Sequence, residues 1–189
     1  MLQTDVKFIY VIPDFQNPSG RTWPIERRKE FMEIINKYEI PVAEDNPYGE
    51  LRFEGEIFPS LKSYDTKGLV LFFGTFSKIF APGFRLGWVS ASPEILEKFN
   101  ISKQAADLQA STISQMEMAK FIEMYDLDAH VEKIKEVYGK RRTIMLDAMD
   151  EYFPEGIKFT RTDGGLFTWV TLPEGIDAAQ LMKDVVLPN

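Results

Sequence analysis

LVLFFGTFSKIFAPGFRLGW, residues 69–88, holds the reading on which the fold turns. Residues 69–73 are apolar, β-branched or aromatic and stop at Gly74-Thr75, which predicts a short strand closed by a loop. Residues 85–91 (RLGWVSA) supply one more candidate strand, and Ser92-Pro93-Glu94 then opens a helix to about residue 105. Upstream, residues 40–44 (IPVAE) form a second short strand that ends at Asp45-Asn46-Pro47. Before it, residues 24–38 (PIERRKEFMEIINKY) begin with Pro and set Phe31, Ile34, Ile35 and Tyr38 at helical spacing, leaving a charged outer face. Residues 7–13 (KFIYVIP) read as a buried strand that runs into the turn-rich PDFQNPSG. Strand, helix and strand joined by short links argue for an α/β fold, a mostly parallel sheet with flanking helices.

The pattern changes near residue 110. Residues 112–125 and 129–149 read as two helices, the second long and charged outside. Residues 157–160 and 165–171 read as short strands around a turn at Asp163-Gly164-Gly165, and residues 177–186 begin another helix. This is a smaller α+β C-terminal piece. The expected division is residues 1–110 for one domain and 111–189 for a connecting helix and part of a second.

Composition narrows the function classes. Hydrophobic residues make up 44% of the 189 and aromatics 13%, ample for a core. Asp plus Glu number 29 against 22 Lys plus Arg, a net charge of −7, so this portion lacks the basic footprint of a nucleic-acid binder. The absence of cysteine excludes disulfides and thiolate metal sites, and no metal site is expected. No apolar run reaches the roughly 18 residues of a membrane span. Residues 1–7 lack the apolar core of a secretory signal, and a cytoplasmic location is the default expectation.

In an open parallel sheet, ligands bind beyond the carboxyl ends of the strands. The unusual polar residues sit there: Asn17 after the first strand, Asp45 after the second, and Thr75, Ser77 and Lys78 after the third. Each has an ordinary alternative. Asn17-Pro18 suits a plain turn, Asp45 a loop cap, Thr75 or Ser77 a helix cap, and Lys78 a solvated charge. Tyr48 suits the rim of a core and Arg85 a surface ion pair. The ordered set is what carries weight.

Those residues bear a resemblance. PDFQNPSG, AEDNPYGELRF and GTFSKIFAPGFRLGW resemble the three cofactor motifs of the fold-type I pyridoxal-phosphate (PLP) aminotransferases. The resemblance runs to the branch that includes aminoadipate-type aminotransferases and the aminotransferase-like domains of GntR/MocR regulators. Spacing agrees, with 28 positions from Asn17 to Asp45, 3 from Asp45 to Tyr48 and 7 from Lys78 to Arg85.

The resemblance implies roles. Lys78 would form the Schiff base with the cofactor aldehyde and later carry the proton at the substrate α-carbon. Asp45 would keep the pyridine nitrogen protonated, so that PLP acts as an electron sink. Asn17 and Tyr48 would hydrogen-bond the phenolic oxygen. Arg85 with Thr75 and Ser77 would clamp the phosphate. A cis bond at Asn17-Pro18 is also implied. So are amino acid and 2-oxo acid substrates and a homodimer, with residues 1–110 as part of the PLP-binding large domain.

The same resemblance implies a fragment that lacks a first half, with its phosphate loop and ring-stacking aromatic, and a C-terminal carboxylate-binding arginine. Arg161 matches no motif for that last role, and weak PLP binding with poor turnover is expected of the isolated chain. Three alternatives stay open: an effector-sensing domain of a GntR/MocR-type regulator, a PLP lyase acting at the β-carbon, and an α/β domain with no cofactor. Other residues read as structural. His130 is a surface residue; Met116, Met118, Met124, Met145 and Met149 are core or interface filler; Trp88 and Trp169 are strand packing. The charged stretches 26–30 and 133–140 are solvated helix faces. Gly83 and Gly87 allow close backbone approach beside Arg85, with a plain turn the alternative for Gly83.

Overall fold

Alternation along three short strands decides which side chains meet the helices and which are left for chemistry. The computed structural model describes residues 5–187. Strands β1 (Ile9–Val11), β2 (Val42–Asp45) and β3 (Val70–Thr75) are parallel, and β4 (Gly87–Ser90) returns antiparallel to β3, in the order β1-β2-β3-β4. Helix α1 (Ile25–Tyr38) links β1 to β2. In register, Ile9 stands beside Val42 and Val42 beside Val70, so these residues share one sheet face. That face meets Met32 and Ile35 of α1 and Leu61 of a short 3-10 turn (Leu61–Tyr64), forming the main buried cluster. Burying each such side chain contributes about 1.5–3 kcal/mol. The opposite face carries Tyr10, Ala43, Asp45, Leu71 and Phe73.

Helix α2 (Pro93–Ala106) lays Phe99 against Phe73, ring centroids 5.9 Å apart. Helices α3 (Thr112–Met124) and α4 (Leu127–Tyr152) start where Ser111 and Asp126 accept hydrogen bonds from Ser114 and Ala129 backbone N–H groups. Such side-chain caps satisfy donors that the first helical turn leaves open. A two-stranded ribbon follows, β5 (Lys158–Phe159) antiparallel to β6 (Val170–Thr171). Helix α5 (Ala178–Leu181), capped by Asp177, runs into a wider π-turn over Met182–Val186. Among the described residues, no helix is long and apolar enough to cross a membrane.

Several expectations are corrected. The first strand is not buried: it is three residues long at the sheet edge, and Phe8 and Tyr10 are exposed. Helix α1 buries Arg28, Met32 and Ile35, whereas Ile34 and Tyr38 face outward. Arg28 therefore leaves the solvated stretch 26–30. Its position four residues before Met32 puts it on the inner face. The strand expected over residues 165–171 pairs only at Val170–Thr171. Gly164 and Gly165 instead seat the chain against Phe15, and a Cβ on Gly164 would fall 2.4 Å from both the Leu51 carbonyl oxygen and the Phe15 ring. His130 is half-buried, not a surface residue, and lies against the rings of Phe80 and Phe121. Met118 is core, which agrees with the reading of the methionines as core or interface filler, and Met116, Met124 and Met145 are exposed. Trp88 lies across Gly74 and Phe72, yet half its surface is open, as is that of Trp169. Gly83 has nothing near its Cβ position and is a plain turn residue, while a Cβ on Gly87 would fall 2.9 Å from the Gly74 carbonyl oxygen.

Candidate functional site

Parallel strands β1–β3 all end on the same side, and the loops that follow them carry the candidate residues. Within β2, Glu44 and Asp45 are adjacent and therefore point to opposite faces. Glu44 is fully buried beneath the sheet, where its carboxylate accepts the backbone N–H groups of Leu61 and Lys62, each at 2.8 Å. Burial pushes its carboxyl above the ordinary range, against the pull of those two bonds and of Arg28. Asp45 lies on the other face and accepts a hydrogen bond from the Tyr10 hydroxyl at 2.5 Å. Tyr10 stands beside Ala43 in register, so its side chain reaches two residues along the sheet to meet Asp45. Burial, the hydrogen bond to Asp45 and the nearby carboxylate charge push the Tyr10 phenol up to about 12.

The chain leaves β2 through a turn in which the Asn46 side chain accepts the Gly49 N–H, and this places Tyr48 at 6% exposure. Burial raises the Tyr48 phenol, the hydrogen bond with Asn17 opposes that, and the Asp45 charge adds to it. Phe167 packs edge-on against the Tyr48 ring, with centroids 5.4 Å apart. Asn17 precedes Pro18 through a cis peptide bond. Its loop is tied from both sides: Gln16 N–H donates to the Arg21 carbonyl, and Trp23 N–H to the Pro13 carbonyl. The neighbouring Asp14 takes a two-pronged contact from the buried Arg28, at 2.7 and 3.1 Å. Tyr10 is thus bonded to Asp45, and the Asp45 charge is felt at both Tyr10 and Tyr48.

After β3, the Thr75 hydroxyl donates to the Leu86 carbonyl and accepts the Ser77 N–H, each at 3.1 Å. Through this pair of bonds Thr75 shapes the turn. Lys78 follows on that turn, and its amine makes no hydrogen bond or ion pair among the described residues. The Pro82–Phe84 turn ends in Arg85, which is left-handed (φ 55°) and exposed, with one weak guanidinium contact, to the Pro82 carbonyl at 3.4 Å. Lys78, Ser77 and Arg85 remain free to bind an external group.

The donor set suits pyridoxal phosphate. An unpaired amine meets an aldehyde, a carboxylate meets a pyridinium, a phenol and an amide meet a phenolic oxygen, and a guanidinium with a hydroxyl meets a phosphate. Among the described residues, no cluster of three or more metal-ligating side chains forms. Arg161 pairs with Asp150 on the surface. Three contributors went unread in the sequence: Tyr10, Phe167 and the Asp14–Arg28 pair. Only Arg28 carried a local signal, its helical spacing to Met32 and Ile35.

Comparison with known proteins identifies the family. Residues 3–187 match the family model for aminotransferase class I and II. Aromatic-amino-acid aminotransferase 1 of Thermococcus litoralis is 48% identical over 181 residues, which is 96% of this chain and 43% of that protein. The HTH-type transcriptional regulator NorG of Staphylococcus aureus is 31% identical, over 95% of this chain and 40% of its own. Pyrococcus horikoshii kynurenine aminotransferase, solved with PMP, superposes with a TM-score of 0.92 at 41% identity, covering 95% of this chain and 45% of that one. This chain spans less than half the length of these relatives. With nearly its whole length matched, it belongs to the class I and II aminotransferase family.

Proposed function

We propose that the protein carrying this chain is a PLP-dependent aminotransferase that moves an amino group between an L-amino acid and a 2-oxo acid. One observation carries the reading: at the carboxyl end of a parallel sheet, the unpaired Lys78 amine follows β3 while Asp45, held by a phenol, ends β2. Bound PLP would supply an electron sink that stabilises negative charge at the substrate α-carbon. Lys78 holds the cofactor and then moves the proton at that carbon. Asp45 keeps a proton on the ring nitrogen. Asn17 and Tyr48 hydrogen-bond the phenolic oxygen, and Arg85 with Thr75 and Ser77 binds the phosphate. Residues 1–110 would belong to the large, cofactor-binding domain, and 111–189 to the connecting helix and small domain. We extend the proposal to a cytoplasmic homodimer, by analogy with the family.

The test is to incubate the protein with PLP, reduce with borohydride and locate the pyridoxyl group by peptide mass spectrometry. Label concentrated on Lys78 and lost in Lys78→Ala supports the reading; label scattered over surface lysines sinks it. Kinship with the NorG regulator favours a second reading, a PLP-binding sensor domain. Amino-group transfer measured over a panel of amino acids separates the two, since a sensor binds without turnover.

A further inference from the structure

Tyr10 belongs to none of the three motifs, yet it makes the only side-chain hydrogen bond to Asp45 among the described residues. Tyr10 is 56% exposed on an edge strand, so packing alone does not account for its place there. The ladder explains the contact. Tyr10 is opposite Ala43, Asp45 lies two residues further on the same face, and the phenol is long enough to bridge that step. The donor engages Oδ2 and leaves Oδ1 to accept from another group. With its ionisation pushed up to about 12, Tyr10 stays a donor across the physiological range.

We propose that Tyr10 is a positioning residue that fixes the Asp45 carboxylate so that its free oxygen meets the pyridine nitrogen of bound PLP. The inference rests on the proposed function and adds to it a residue acting through Asp45. A carboxylate at the end of a strand can rotate about its last bond, and a phenol on one oxygen removes that freedom before the cofactor arrives.

The experiment uses the full-length protein freed of cofactor. PLP affinity is measured by absorbance titration for wild type, Tyr10→Phe, Asp45→Asn and the double variant. Tyr10→Phe is expected to weaken PLP about fivefold, the weight of one ordinary hydrogen bond. It is also expected to raise the pH midpoint of the bound cofactor's absorbance, because a less firmly protonated ring withdraws fewer electrons. In the Asp45→Asn background, adding Tyr10→Phe should change affinity less than twofold, since the carboxylate that Tyr10 orients is gone. A purely structural Tyr10 would show equal losses in both backgrounds and an unmoved midpoint, which overturns the proposal. Unfolding curves check that Tyr10→Phe folds. As a readout without cofactor, Asp45→Asn should bring the Tyr10 phenol down from about 12; an unmoved phenol overturns the proposal even if Tyr10→Phe is unstable. Should wild type carry no borohydride label on Lys78, both readings fall; should it be labelled while Tyr10→Phe matches wild type, only this one does.

Discussion

Replacing Arg28 with methionine would remove a guanidinium whose surroundings leave no substitute. Arg28 is fully buried, and its nitrogens donate to both oxygens of Asp14 and to the carbonyls of Trp23 (3.0 Å), Pro59 (3.0 Å) and Pro13 (3.4 Å). Methionine restores much of the apolar stem but none of the donors. Asp14 would keep a single cation, Arg52, at 3.9 Å and beyond hydrogen-bond reach. Breaking one side of a buried pair costs about 3–5 kcal/mol, chiefly through the charge left behind. Against a typical total of about 5–15 kcal/mol, that is a large share. With a urea slope of about 2.5 kcal/mol/M, the unfolding midpoint should fall by about 1.5 M. Tryptophan fluorescence is the assay, because Trp23 packs on Phe31 of the same helix at 5.2 Å. The second arm is Asp14→Leu with Arg28→Met, which removes the stranded charge and should recover at least half the loss. A single-variant loss below about 1 kcal/mol, or a double variant no better than the single, would refute the claim that the pair clamps the Asn17 loop to α1.

The remaining predictions concern the supports of the site. Glu44 has its carboxyl pKa raised by burial, so its contribution is fully present below the unfolded value of 4.5 and is lost as pH rises through the folded value. Wild-type stability relative to Glu44→Gln should therefore decline with pH above about 4.5, by up to about 1.4 kcal/mol per pH unit, and then level off. Urea midpoints over a pH series check this, and a pH-independent difference would count against it. Gly164→Ala forces a methyl towards the Leu51 carbonyl and the Phe15 ring, an overpacking cost of about 1–3 kcal/mol. The melting temperature should drop by about 2–12 °C; an unchanged value would mean the 160–169 segment is not seated there.

What the sequence made legible was local. Asn17, Asp45, Thr75, Ser77 and Lys78 could be placed at strand ends because a run of β-branched and aromatic residues stopping at a polar one is a signal a few residues long. The fourth strand and the helix starts were readable for the same reason. What stayed hidden depended on partners far along the chain. In the ERRKE stretch of α1, which charge turns inward depends on Asp14 being there to receive it. Tyr10 looked like core because it alternates with nothing polar, and only the edge position of β1 exposes it. His130 meets Phe80, fifty positions away, and no periodicity within α4 announces that contact. The expected strand over 165–171 failed at Gly164 and Gly165, whose small size serves contact with Phe15 rather than a ladder.

Glu44 and Asp45 show how the fold separates support from chemistry. Identical in chemical type and adjacent in sequence, they are sent to opposite faces by the two-residue period of β2. The inward carboxylate binds backbone donors at the Leu61–Tyr64 turn and is spent on structure. The outward one has a single phenol partner and an oxygen to spare. A one-residue slip of β2 would exchange their surroundings, leaving the turn unpinned and a carboxylate without donors in the core. Register is therefore fixed twice, by the apolar contacts of Val42 with α1 and by the hydrogen bonds of Glu44. The Asp14–Arg28 pair does the same for the loop bearing Asn17. Buried charges hold two of the three strand ends, so Asp45 and Asn17 project from anchored backbone, while the loop bearing Lys78 is held by Thr75 through neutral hydrogen bonds.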